Sequence, residues 1–315
     1  MIGALPPPVH LPDVLNRARA AFLGLAMGDA LGATVEFMTP GEIRQAHGVH
    51  RDLTGGGWLR LKPGRVTDDT EMSLAMARAI DRQEGFDLRA VADGFATWMK
   101  RRPTDVGNTC RAGIRRYLLD GTLEGKPGAW DAGNGGAMRV LPVALCTLGD
   151  EAALTRHAVE QARITHHHPL SDAGTVLVGR LVQAAALGRS LRQLHGLASE
   201  AARAEPRFGW EPYRGLASGY VVDTIQTLLH FLFATRSFEE CLVAVVNQGG
   251  DADTTGAIAG AIAGAYYGPE ALPRRWAKRL DAGLTAELER LAGRMVALSP
   301  VGRVRTASPA APARS

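Results

Sequence analysis

The stretch from Asn247 to Gly268, NQGGDADTTGAIAGAIAGAYYG, constrains this chain more than any other. Its second half is almost wholly Ala, Gly and Ile, so a helix there has no polar face to turn to water and belongs inside a protein. Small residues on that helix let a neighbouring backbone come close. Its first half is the opposite: paired glycines, then Asp251, Asp253 and Thr254. A surface N-cap needs one side-chain oxygen, and this junction carries three. The helix is therefore expected at the centre of a bundle, with its N-terminus opening into a cavity. Its apolar part, Thr255–Tyr267, falls short of the roughly 20 residues that span a bilayer.

The surrounding sequence is helical in pattern. Apolar residues recur at three- and four-residue spacing over Val14–Gly28, Glu71–Gln83, Leu88–Arg101, Ala152–Ile164, Ala173–Leu187, Leu191–Ala204 and Thr224–Ala234. Phe238–Asn247, Asp253–Tyr267, Pro273–Leu280 and Thr285–Met295 continue it. Strand-like alternation is scarce, and VHRDLTGGGWLRL (Val49–Leu61) reads as irregular because three consecutive glycines suit no helix. The fold class is all-α with long functional loops. With 46% hydrophobic and 22% charged residues, the 315-residue chain can bury one large core, expected over residues 13–299. Proline-rich residues 1–12 and the aperiodic 300–315 read as flexible tails.

Several functional classes are excluded at this level. The net charge is +4 with no dense basic block, so nucleic acid is not an expected partner. Cys110, Cys146 and Cys241 show no CxxC spacing and read as buried free thiols in a reducing compartment. The first residues lack the basic and apolar segments of a secretory signal, and the expected location is cytoplasmic.

The chemistry concentrates at two helix starts. Thr67-Asp68-Asp69-Thr70 precedes the apolar-periodic helix beginning near Glu71, and Asp251, Asp253 and Thr254 precede the Gly/Ala helix. Each alone could be a cap with extra acid in the first turn. Together they supply four aspartates and at least two threonines, and buried carboxylates repel unless neutralised. A pair of divalent cations would neutralise them, and an all-oxygen donor set favours Mg²⁺ or Mn²⁺ over Zn²⁺ or copper. GNGGAMR (Gly133–Arg139) is glycine-rich ahead of a helical run, which suits a pyrophosphate, but no Lys-Ser/Thr follows and it is not a P-loop. Consecutive His166, His167 and His168 cannot all face one metal from a helix, so they read as a loop near the site.

The chain resembles the ADP-ribosylglycohydrolase family. The resemblance runs from about Ala20 to Gly268 and rests on GLAMGDALGATVEF, VTDDTEMSLAMA, GNGGAMRVLP and VVNQGGDADTTGAIAGAIAGAYYG in that order. PTDVGNTCRAG (Pro103–Gly113), THHHPLSDAG (Thr165–Gly174) and SGYVVDTIQTLLH (Ser218–His230) narrow it to the nitrogenase-linked branch. The resemblance implies a compact orthogonal helical bundle around a binuclear metal site, with Thr67, Asp68, Asp69, Asp251, Asp253 and Thr254 as ligands. Glu36 matches the acid the family places beside the metals, and Asp105 matches the acid implicated in proton transfer at the ribose. Asn108, Asn134, Gly135, Gly136, Met138 and His166 become expected substrate contacts, with Tyr220 expected to stack on adenine.

The activity so implied is metal-dependent hydrolysis of the N-glycosidic bond between ADP-ribose and an arginine side chain. In the nitrogenase-linked branch the target is ADP-ribosylated dinitrogenase reductase. The branch also implies a PII-type signalling protein that brings the enzyme to the membrane through an ammonium transporter. The rivals are the same fold acting on another linkage (serine, nucleic acid or a small molecule) and a non-catalytic structural relative. Acids and threonines at all six ligand positions argue against the latter.

Overall fold

The computed structural model describes residues 10–304. Among them the chain forms sixteen α-helices and no strand, only isolated bridges such as Gly56 to Leu61. In order they are α1 (Leu11–Gly32), α2 (Pro40–His47), α3 (Asp68–Gln83), α4 (Leu88–Lys100), α5 (Asn108–Asp120) and α6 (Gly135–Met138). Next come α7 (Leu141–Cys146), α8 (Glu151–Arg163), α9 (Pro169–Ala186), α10 (Leu191–Ala204) and α11 (Val221–Ala234). The last are α12 (Phe238–Val246), α13 (Ala252–Tyr267), α14 (Arg274–Ala277), α15 (Ala282–Leu298) and α16 (Pro300–Arg303). The all-α expectation holds, and the three cysteines are buried free thiols.

The Gly/Ala helix is central. α13 is buried from Ala252 to Ala265, and α1 lies against it along most of its length. Glycines four apart on each helix face one another, Gly24 with Gly260 and Gly28 with Gly256, and one turn further on Gly32 meets the backbone of Ala252. A Cβ on any of the three α1 glycines would fall on the partner helix's backbone carbonyl. The residue numbers run in opposite senses, so the two helices are antiparallel. The C-terminal end of α1 is thereby held against the N-terminal end of α13. Around this pair, α3, α9, α12 and α15 complete one core.

The ends differ from expectation. α1 already begins at Leu11, inside the expected 1–12 tail, because His10 and Pro12 make an ordinary helix start. Residues Pro300–Arg303 form α16 and do not open a tail. Ser299 caps it by accepting from the Gly302 N–H at 3.1 Å, and a Cβ on the buried Gly302 would fall on the Val296 carbonyl. The remainder of both expected tails lies outside the described residues. The Val49–Leu61 stretch is irregular as expected, with Gly55, Gly56 and Gly57 all at positive φ. Among the described residues no helix is long and apolar enough to cross a membrane.

Candidate metal centre and active site

Three helix ends converge where α1 meets α13. α1 contributes Asp29, fully buried one residue after Gly28. Its carboxylate accepts the Thr67 N–H at 3.0 Å, the Thr67 hydroxyl at 2.9 Å, the Thr70 N–H at 3.1 Å and the Thr70 hydroxyl at 2.5 Å. Asp29 thus caps α3 from outside, doing for its first turn what the side chain of Thr67 at the N-cap does not. The Thr67 hydroxyl also lies 3.2 Å from Asp69 Oδ2 and 3.5 Å from Asp253 Oδ2, and the Thr254 hydroxyl lies 3.4 Å from Asp69 Oδ2. The two acid-rich junctions of the sequence are therefore one cluster.

A second group lies on the cleft side of it. Glu36, Asp251 and Asp253 each bring a carboxylate oxygen within 4.8 Å of the others. Asp251 is aimed by Asn134, whose Nδ2 donates to Asp251 Oδ2 at 2.5 Å and to Thr224 Oγ1 at 2.9 Å. Glu36 accepts from the indole N–H of Trp58 at 2.5 Å. The turn after Glu36 is tied to the loop before α13 by Phe37 N–H to Gly250 O at 2.6 Å and Gly250 N–H to Met38 O at 2.9 Å.

The cluster is electrostatically incomplete. Burial, then repulsion among neighbours, drives the Asp69 and Asp253 carboxyls well above the usual carboxylate range. Asp68 rises to about 8 through burial and the Asp105 charge, and Glu36 to about 8 chiefly through burial. Asp29 rises to about 6 by burial, against its four hydrogen bonds. Asp69 Oδ1 is buried with no hydrogen-bond donor. Such an oxygen is costly unless something positive meets it. An orphaned carboxylate oxygen in a cluster of acids and hydroxyls fits hard divalent cations, and Thr67, Asp68, Asp69, Asp251, Asp253 and Thr254 could hold them.

The cluster floors a cleft of about 1030 Å³, the upper end of what small-molecule ligands need. Asp105, half-buried, lines it, and burial raises its carboxyl against a hydrogen bond from the Val106 N–H and the charge of Arg111. The same loop is pinned by Gly107 N–H to Asp68 Oδ2 at 3.3 Å, so Asp105 is tethered to the metal-side acids. Asn108, Asn134, Gly135, Met138 and His166 also line the cleft. His166 is packed under the glycine loop, where a Cβ on Gly133 would meet its ring at 2.9 Å. Burial and the nearby Arg139 charge lower it to about 3, so it is neutral.

Its neighbours are structural: His167 Nδ1 pairs with Gly125 O at 2.5 Å, and His168 Nδ1 accepts the Leu170 N–H at 3.1 Å at the start of α9. Two expected contacts fall elsewhere. Gly136 does not line the cleft; a Cβ there would meet Ala162 Cβ at 2.7 Å and Thr175 Oγ1 at 2.8 Å, so its glycine serves packing. Tyr220 stands at the rim. Its neighbours Ser218 and Gly219 line the cleft, while its own side chain, at the N-cap of α11 and 38% exposed, does not.

The sequence reading missed Asp29, Trp58 and Arg139. Asp29 is the lone acid in an otherwise small and apolar helical run, a readable sign of a buried functional charge. Arg139 is fully buried without a carboxylate partner, bonded to Gln161 Oε1 and Thr165 Oγ1 and set 4.7 Å over the Phe95 ring. It places one positive charge behind the acids.

The ADP-ribosylglycohydrolase family model matches residues 10–304, and the chain belongs to that family. It is 53% identical over 288 residues to the ADP-ribosyl-[dinitrogen reductase] glycohydrolase of Rhodospirillum rubrum, covering 91% of this chain and 98% of that one. It is 30% identical to the ADP-ribosylarginine hydrolase Tri1 of Pseudomonas putida, over 85% of this chain and 75% of the relative. A solved ADP-ribosylglycohydrolase-related protein complex superposes with a TM-score of 0.81 at 33% identity, covering 91% of this chain and 99% of that one.

Proposed function

We propose that this chain hydrolyses the N-glycosidic bond between ADP-ribose and an arginine side chain, and that its target is ADP-ribosylated dinitrogenase reductase. The observation that carries the reading is the donor-less, fully buried Asp69 Oδ1 at the heart of the acid and threonine cluster beneath the cleft. The near full-length likeness to the Rhodospirillum rubrum glycohydrolase supplies the substrate.

Thr67, Asp68, Asp69, Asp251, Asp253 and Thr254 would hold two divalent cations, Mn²⁺ or Mg²⁺. Bound there, these supply Lewis acidity toward the ribose hydroxyls and water. The remaining work falls to the chain. In the reaction the bond from ribose C1″ to the guanidino nitrogen breaks, the oxygen of water bonds to C1″, and a proton must reach the departing nitrogen. Guanidine leaves poorly as an anion, so that proton transfer is required. Asp105 and Glu36 are the two carboxyls on the cleft wall outside the six ligands, and they move the proton. Glycine backbone at Gly133 and Gly135, with Asn134 and Met138, receives the diphosphate and ribose, and Asn108 and His166 close the walls. Tyr220, at the rim beside Ser218 and Gly219, would meet only an adenine that reaches past the cleft mouth.

The test is release of ADP-ribose from arginine-ADP-ribosylated dinitrogenase reductase with Mn²⁺ or Mg²⁺, then after EDTA. Metal-dependent release supports the reading; no release with metal bound refutes the linkage. A PII-type partner with an ammonium transporter belongs to the same reading, and co-elution of this chain with a PII-type protein tests it.

A further inference from the structure

A second cavity, of about 510 Å³, adjoins the cleft and shares Glu36, Phe37 and Trp58 with it. Its other walls are Thr34, Met38, Glu42, Gln45, Ala46 and Gly57. Three features point to what it takes. Phe37 and Trp58 are large aromatic side chains left 65% and 53% exposed, with ring centroids 5.4 Å apart and planes tilted by 48°. Phe37 is held at φ +64°, a left-handed conformation that strains a residue with a Cβ and turns up at ligand sites. Thr34, only 4% exposed, carries a buried hydroxyl oxygen with no partner.

The lining charges are of one sign: Glu36 and Glu42, with no Lys or Arg. The cleft borders another cavity at Arg102, Pro103 and Thr104, and its lining charge is mostly of the other sign. That cavity, of about 620 Å³, is lined by Lys62, Arg65, Arg78, Arg101, Arg102 and Arg279 against Glu71 and Asp281. A planar cation would be repelled on that side and drawn to this one. Aromatic faces, a carboxylate and an unpaired hydroxyl acceptor are the chemistry that binds guanidinium, which stacks and donates in one plane.

We propose that this cavity is the binding site for the arginine side chain of the substrate, with the guanidinium stacked on Trp58 against Phe37 and donating to Glu36 and Thr34 Oγ1. The inference rests on the proposed arginine linkage. Glu36, which accepts from Trp58 and lies within 4.8 Å of Asp251 and Asp253, is then also the group that meets the leaving guanidine. Adenine and diphosphate then occupy the other end of the cleft, toward Gly133, Gly135 and Ser218.

The probe is agmatine, an alkylguanidine without ADP-ribose, titrated into the Mn²⁺-loaded full chain and followed by calorimetry, with ADP-ribose titrated separately. Trp58→Ala should weaken agmatine binding by roughly tenfold or more, the range of a cation over an indole face, and raise KM for arginine-linked ADP-ribose while ADP-ribose affinity and metal content hold. Trp58→Phe keeps a ring face and loses the N–H to Glu36, so it should retain most agmatine binding. Thr34→Val should weaken agmatine and spare ADP-ribose. If Trp58→Ala weakens ADP-ribose as much as agmatine, an ADP-ribose moiety occupies the ring and the proposal fails. Unchanged agmatine binding in Trp58→Ala also overturns it. Should the wild type bind agmatine through Trp58 yet release no ADP-ribose from arginine, the subsite stands and the proposed reaction falls.

Discussion

Asp29→Asn separates holding the fold from holding a cation. The Asp29 carboxylate has four donors on two oxygens: two backbone N–H groups and the hydroxyls of Thr67 and Thr70. Asp29 Oδ1, at 2.9 Å, is the nearest of the three acceptors around the Thr67 hydroxyl; with its one proton there, the hydroxyl would turn its lone pairs to a cation held by Asp69 and Asp253. An asparagine has one acceptor oxygen. Placed at the Oδ2 position, that oxygen keeps both backbone N–H groups, and the amide nitrogen then faces the Thr67 hydroxyl. The hydroxyl must reverse, accepting from Asn and turning its proton on Asp69.

Two terms oppose each other in stability. A buried amide N–H left without an acceptor costs about 1–3 kcal/mol. Against it, a carboxylate raised from 3.8 to about 6 by burial is held ionised near neutral pH at about 3 kcal/mol, and asparagine removes that penalty. The metal-free fold should therefore change by less than about 2 kcal/mol in either direction. Metal affinity has no such offset and should fall about 10- to 100-fold, as when other supporting groups around a metal are lost. Calorimetric Mn²⁺ titration measures the second and urea unfolding of the EDTA-treated protein the first. Wild-type Mn²⁺ affinity in Asp29→Asn would refute the argument that Asp29 orients the Thr67 hydroxyl, and so would a metal loss that merely tracks unfolding.

Other outcomes follow from the same geometry. Asp105→Asn should lower turnover by about 10²- to 10⁴-fold with metal content unchanged, measured as ADP-ribose release alongside metal analysis; unaltered turnover removes Asp105 from proton transfer. Asp253→Asn should lose metal and activity together and raise the melting temperature of the metal-free protein, since it deletes one buried acid from a mutually repelling group. Without metal, stability should fall as pH rises from about 4, until about 6 for Asp29 and about 8 for Glu36 and Asp68, and level above that, because these groups bind protons more tightly folded than unfolded. Saturating Mn²⁺ should flatten or reverse that slope, and a metal-free melting curve insensitive to pH across this range would contradict the raised values. Gly28→Ala should cost about 3 kcal/mol or more in chemical denaturation, since its methyl meets the Gly256 carbonyl and neither backbone can yield without parting α1 from α13.

What was legible in the sequence follows from how local each signal is. Long helices with a one-sided apolar pattern were bounded to within a few residues, and the Gly/Ala helix was placed at the centre by composition alone. α2 escaped although its start was written out: Thr39 and Glu42 cap each other reciprocally around Pro40. α5 escaped because it buries only Cys110, Gly113, Ile114 and Tyr117, too few to mark a face among its arginines. In the site, the paired acids at helix mouths stood out through local density. Asp29 acts across 38 residues of chain on Thr67, and no spacing rule reaches that far. Trp58 sits in an irregular stretch with no periodic pattern to mark it, and irregularity is what frees its ring to reach Glu36. Gly136 and Tyr220 belong to motifs whose neighbours line the cleft, but which face each side chain takes is set by α8, α9 and α11, not by the motif.

The antiparallel contact of α1 with α13 also sets the order of events in making the enzyme. Asp29 and Thr67 emerge from the ribosome early, whereas Asp251, Asp253 and Thr254 follow only after nearly two hundred further residues. Until that late helix threads its glycines into those of the first, half of the proposed donor set is absent. A growing chain can neither trap a cation nor cut a glycosidic bond. Metal capture is thus a signature of the longest loop closing, and its kinetics would time the last step of folding and not the first.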